Sequence, residues 1–108
     1  MPYQIEIAAS AMQHLNALSA NDRAMVVHAI EEQLVHEPLV ETRNRKPLRP
    51  NPIAPWELRV EDLRVFFDVK EQDKGGNEGP ETSGTVFVVA IGKKEGSVLR
   101  IGDRRVQL

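Results

Sequence analysis

The chain has no cysteine among its 108 residues. Disulfides are thereby excluded, and so are the thiolate sites that hold most structural zinc. Aromatic residues are few, with one tryptophan, one tyrosine and three phenylalanines. The core therefore rests mainly on aliphatic side chains. Long apolar runs are also lacking, and no window approaches the roughly 18 residues of a membrane span. The opening stretch MPYQIEIAAS shows neither a basic leader nor an apolar segment, so a cytoplasmic location is the expectation. No phosphate loop, dinucleotide fingerprint or HExxH pattern occurs, which removes the most easily recognised enzyme classes. Excess positive charge is missing as well. The 14 Lys and Arg residues face 16 Asp and Glu for a net charge of −2, which at first sight argues against a phosphate ligand.

The charges that are there are not evenly spread. Six basic residues fall between Arg43 and Arg64 (Arg43, Arg45, Lys46, Arg49, Arg59, Arg64), and five between Lys93 and Arg105 (Lys93, Lys94, Arg100, Arg104, Arg105). Acids concentrate elsewhere, around Glu31 to Glu41 and Glu71 to Glu81. An anionic ligand responds to the local field rather than to the sum, so a basic face on an acidic protein is consistent with the composition.

Length and an apolar content of 41% suit one domain spanning 1–108 with one core. Tyr3, Ile5 and Ile7 alternate with Gln4 and Glu6, the period of a short strand. From Ala8 the spacing turns helical, with Ala8, Ala11, Met12, Leu15 and Leu18 on one stripe. Ser19 or Asn21 caps a second helix whose first turn carries Asp22 and whose inner face is Val26, Val27, Ile30 and Leu34. It is expected to end near Glu37, because Pro38 disfavours helical geometry in the residue before it. Residues 41–55, with four prolines among basic residues, read as an extended connection without regular structure.

Two alternating strands follow, Trp56, Leu58, Val60 and then Leu63, Val65, Phe67, Val69, separated only by Glu61 and Asp62. A tight turn there pairs Val60 with Leu63, Arg59 with Arg64, Leu58 with Val65 and Glu57 with Phe66. Residues 71–84, rich in Gly and acid, read as a mobile loop inserted in a hairpin. TVFVVAIG (85–92) suits a central strand covered on both faces, and the tail reads as two short strand-like pieces around Gly102 and Asp103. The expected class is α+β: an N-terminal strand, two antiparallel helices, then a three-stranded antiparallel meander with a short strand-like tail, both helices on one face of the sheet.

The two arginines are the informative feature. Like charges directly opposite each other destabilise a sheet, so something anionic should compensate. Two readings follow. Either Glu57 and Asp68 neutralise them as a solvated lattice, or an external anion does. The meander also brings Lys93 and Lys94 towards Arg64, giving four cations at one end of the sheet and a plausible phosphate clamp. Arg64 is its expected centre, and by the like-charge argument Arg64→Ala should leave the fold unharmed or slightly stabilised. Phe66 lies on the arginine face, where it either stacks a base or is covered by the basic connection. Trp56 falls on the inner face and reads as core. His14, His28 and His36 lack metal-ligand spacing.

This order of elements, with PWELRVEDLRVFFDV at 55–69 and VFVVAIGKK at 86–94, resembles the RelE/ParE toxin superfamily of bacterial toxin–antitoxin systems, and its RelE-like members in particular. RelE-like members cut messenger RNA on the ribosome, ParE-like members poison DNA gyrase, and both are restrained by a partner antitoxin. The resemblance implies a metal-independent endoribonuclease without organic cofactor, or alternatively a non-catalytic binding protein of the same fold, acting on gyrase or only engaging its antitoxin. It places catalytic roles on Arg59, Arg64 and Lys94; for an RNA ligand the expected contacts are the other basic residues around them, Lys93, Arg45, Lys46, Arg49 and Arg100, together with Phe66. Where RelE-like hairpins commonly have a lysine this chain has Glu57, which becomes the candidate general base. Where a C-terminal tyrosine often assists, it has Arg100.

Overall fold

The computed structural model describes residues 3–71, 84–102 and 104–106. The elements run β1 (Gln4–Ile7), α1 (Ala9–Asn16), α2 (Ala20–Gln33), β2 (Arg45–Pro47), β3 (Trp56–Val60), β4 (Leu63–Glu71), β5 (Gly84–Glu95), β6 (Val98–Ile101) and β7 (Arg104–Val106). The last six strands form one antiparallel sheet in sequence order. β1 lies parallel to the first half of β5, along the flank that β6 occupies further on. Among the described residues no helix is long and apolar enough to cross a membrane.

The helices cover one face, as their apolar stripes require. Ala11 and Leu15 of α1 and Val26, Ala29 and Ile30 of α2 are buried against Leu58, Leu63, Val65, Phe67, Val86, Val88 and Ile91 of the sheet. Trp56 packs on this core with its ring 6.0 Å from that of Phe67. Ser19 caps α2, its hydroxyl accepting from the Asp22 N–H at 3.1 Å; such a cap contributes about 1 kcal/mol. The buried stripe is narrower than the sequence suggests, because Met12 and Val27 point outward and stay exposed.

Two boundaries differ from expectation for a common reason. α2 ends at Gln33 rather than near Glu37, and the basic connection contains a strand, β2, paired with β3. Arg45 ties the two together. Its side chain is buried and donates to the Gln33 carbonyl and, at 2.7 Å, to the Val40 carbonyl. The Gln33 carbonyl, which a continuing helix would offer to residue 37, is thereby taken by a guanidinium from the edge strand. Pro47 costs little there, since an edge strand has one side without a ladder to donate to.

The predicted loop at 71–84 begins and ends inside strands, with Glu71 opposite Gly84; residues 72–83 lie outside the described residues. In β5 the register against β4 slips by one, Phe66 facing Ala90 and Phe67 facing Val88, so Val89 is an extra residue. The bulge reverses the parity of everything after it. Val86 and Val88 face the helices before it, and Ile91 does so after it. α1 satisfies the disturbed backbone: the Ala8 N–H and the Ser10 hydroxyl donate to the Val88 and Val89 carbonyls at 2.9 and 3.2 Å, and the Ile91 N–H donates to His14 Nδ1 at 3.3 Å.

Candidate functional site

The hairpin takes the register that its sequence dictates, with Arg59 opposite Arg64 and Glu57 opposite Phe66. Leu58 of β3 and Leu63, Val65 and Phe67 of β4 face the helices, which leaves Glu57, Arg59, Arg64 and Phe66 on the other face. Lys46 of β2 stands directly across from Glu57. From the far side, the parity change in β5 turns Lys94 towards the arginines and Lys93 away from them. The result is a cleft of about 630 Å³ in which Lys46, Glu57, Arg59, Arg64 and Lys94 meet Ser97 and an apolar wall of Leu48, Leu99 and Val106. A nucleotide has this same division between an anionic end and an apolar ring.

Within the cleft the charges are unequally committed. Arg59 Nε lies 3.5 Å from Glu57 Oε2, an ion pair between a largely buried carboxylate and a guanidinium that is 42% exposed. Half of the anticipated charge lattice is therefore present. The other half is not, because Asp68 Oδ1 accepts the Val69 N–H instead of reaching an arginine. Arg64 is buried to 9% exposure, and its Nη1 donates to the Glu61 and Leu63 carbonyls at 2.9 and 2.8 Å. Burial lowers its pKa from the ordinary arginine value, while Glu57 opposes the shift; the group remains a cation. Nε and Nη2 have no hydrogen-bond partner among the described residues. Arg64 thus does more than contribute charge: it braces a turn in which Glu61 holds a left-handed φ of 58°. The expectation that Arg64→Ala would spare the fold is corrected by these two bonds.

Several residues expected at the site are elsewhere. Lys93 pairs with Asp22 of α2 at 3.1 Å, and this hydrogen bond raises its pKa. Arg100, cross-strand from Lys93, pairs with Glu95 at 2.8 Å on the same helix-facing side of the sheet. Arg45 is the buried clamp described above, and burial lowers its pKa. Arg49 is exposed on the connection and does not line the cleft. Phe66 is fully buried in a second, smaller core with Ala54, Ala90 and Ile101, covered by Leu48 and Ile53 of the connection, and offers no ring for stacking. Asn51 holds that cover in place, its side chain bonding Arg49, Ile53 and Ala54 backbone groups at 2.7 to 3.1 Å. Tyr3 sits beside Glu71, at the opposite end of β4 from Arg64. Ser97, Leu99 and Val106 were not foreseen as lining residues; the only sequence signal for them is their place in the turn and strands of the tail.

A second hollow of about 690 Å³ lies between α1 and the tail strands, lined by Ala17, Ile53, Ala90, Ile101 and Val106 with His14 and Arg104. It has one cation, Arg104, and no cluster of charges. Among the described residues no group of three or more potential ligands is placed to hold a metal ion.

No family model matches the sequence, and a search of curated proteins returns no relative. Among solved structures, a chain of the toxin–antitoxin complex RelBE2 from Mycobacterium tuberculosis matches with a TM-score of 0.64 and 23% sequence identity, over 87% of this chain and 100% of that one. At that identity the match establishes a common fold.

Proposed function

We propose that this chain is a RelE-like toxin of a type II toxin–antitoxin system that cleaves messenger RNA on the ribosome without a metal or organic cofactor, and that a cognate antitoxin holds it inactive. The observation carrying this reading is the single cleft in which Lys46, Glu57, Arg59, Arg64 and Lys94 converge beside an apolar wall. The fold shared with a chain of a toxin–antitoxin complex supports the same class.

The chemistry follows from the groups present. A ribose 2′-hydroxyl attacks the adjacent phosphorus, its proton passing to the Glu57 carboxylate. The bond to the 5′-oxygen breaks, and that oxygen leaves with a proton donated by Lys94, giving a 2′,3′-cyclic phosphate and a 5′-hydroxyl. Arg59 and the free nitrogens of Arg64 hold the phosphate oxygens as charge builds on them, where preorganised donors act most strongly. Lys46, across from Glu57, balances the carboxylate.

Expression in a bacterial host tests the reading. Translation arrest with messages cut and ended in cyclic phosphate is the expected result, and Arg59→Ala should relieve it. DNA damage with intact messages would assign the fold to gyrase poisoning instead, and the absence of any growth defect would refute toxin activity.

A further inference from the structure

Arg59 and Arg64 line a second cleft besides the one already described. It has a volume of about 470 Å³ and opens around the end of the hairpin, with Arg43, Asn44, Gln33 and Glu61 among its walls. We infer that it is a second subsite for the nucleotide flanking the one in the main cleft, so that the ligand is a single-stranded RNA lying across the Arg59–Arg64 ridge. The inference rests on the reading of the main cleft as an RNA site.

The wall carrying Arg43 is built, not a loose loop tip. The Thr42 N–H donates to the Arg45 carbonyl at 2.7 Å, the Thr42 hydroxyl accepts the Asn44 and Arg45 N–H groups at 3.3 and 3.1 Å, and the Asn44 carbonyl accepts the Arg59 N–H at 2.7 Å. Arg45 then bolts this turn to the end of α2 through the Gln33 and Val40 carbonyls. An exposed cation is thus held on a fixed turn with no ion-pair partner among the described residues. Gln33 and Asn44 bring side-chain amides to the same cleft, also without hydrogen-bond partners among those residues. Amides of this kind can pair with base edges of a splayed single strand. The two clefts together present five cations, Arg43, Lys46, Arg59, Arg64 and Lys94, against the carboxylates of Glu57 and Glu61. Cations on both sides of a shared ridge match a chain of phosphates better than a single anion. The main cleft offers an apolar wall for one base, whereas the second offers polar groups, so sequence preference should come from the flanking nucleotide.

The test measures binding of 2′-O-methyl oligoribonucleotides, which cannot be cleaved, by fluorescence anisotropy at low salt. The parent chain should bind a hexanucleotide at least about tenfold more tightly than a dinucleotide. Arg43→Ala should weaken the hexanucleotide about five- to tenfold and reduce the slope of log affinity against log salt by about 0.7, the value for one phosphate contact on a single strand. Equal affinities for the two lengths, or an unchanged hexanucleotide affinity in Arg43→Ala, would overturn the subsite. Dinucleotide binding that Arg59→Ala abolishes, without any length dependence, would sink the subsite while leaving the main cleft as an RNA site. If neither oligonucleotide bound, the RNA reading of both clefts would fall together.

Discussion

Replacing Arg64 with alanine removes two things at once, and their sizes can be separated. The first is structural. The buried Leu63 carbonyl loses a charged donor, a loss of about 1.5–3 kcal/mol, whereas the Glu61 carbonyl at the exposed turn regains water at little cost. Relief of the cross-strand repulsion with Arg59 returns about 0.2–1 kcal/mol. The net is a destabilisation of about 1–2 kcal/mol, or a fall in Tm of roughly 5–15 °C for a domain near this size. The second is functional. Losing a preorganised donor to the transition-state phosphate costs about 10² to 10³ in rate. Circular dichroism melting gives the first quantity, and message cleavage measured well below the lowered Tm gives the second. An unchanged or raised Tm would refute the bracing role, and full cleavage activity in a less stable variant would refute the site.

The neighbouring lysines should separate cleanly: Lys94→Ala should abolish toxicity in a growth assay with a stability change within about 0.5 kcal/mol, since its side chain is exposed. Lys93→Ala, on the helix-facing side with Asp22, should stay toxic, and equal loss in both variants would contradict the parity set by the Val89 bulge. Phe66→Ala should cost about 3–5 kcal/mol in chemical denaturation, because the ring is fully buried in the second core; a stable variant with weakened RNA binding would restore the stacking role. Burial lowers the His14 pKa below 6.5, and its Nδ1 must stay unprotonated to accept the Ile91 N–H. The unfolded chain therefore takes up that proton first, and stability should decline as pH falls from about 6.5 through the lowered folded value. A urea midpoint that His14→Gln makes independent of pH over that range is the expected signature, and an identical decline in the variant would exclude His14 as its source.

The hairpin was readable from the chain alone because its information is local. Two turn residues between alternating strands fix the register, and the register fixes that Glu57, Arg59 and Arg64 share a face. The helices, a cap at Ser19 or Asn21, the central strand and the packing of Trp56 were legible for the same reason: period and capping act over a few residues. Which lysine joins the arginines was not legible. It depends on one extra residue, Val89, in a stretch whose uninterrupted apolar run has no alternation to mark a change of face, and the bulge is held by bonds from α1, some eighty positions earlier. The burial of Arg45 and Phe66 likewise depends on where a proline-rich connection lies down, and that is settled by the Gln33 and Val40 carbonyls and the second core, not by neighbours in sequence. Local pattern thus determined which residues carry charge and how the hairpin pairs; only long-range packing decided which of those charges meet in one cleft, because a one-residue slip or a covering loop moves a side chain between faces without changing the local pattern around it.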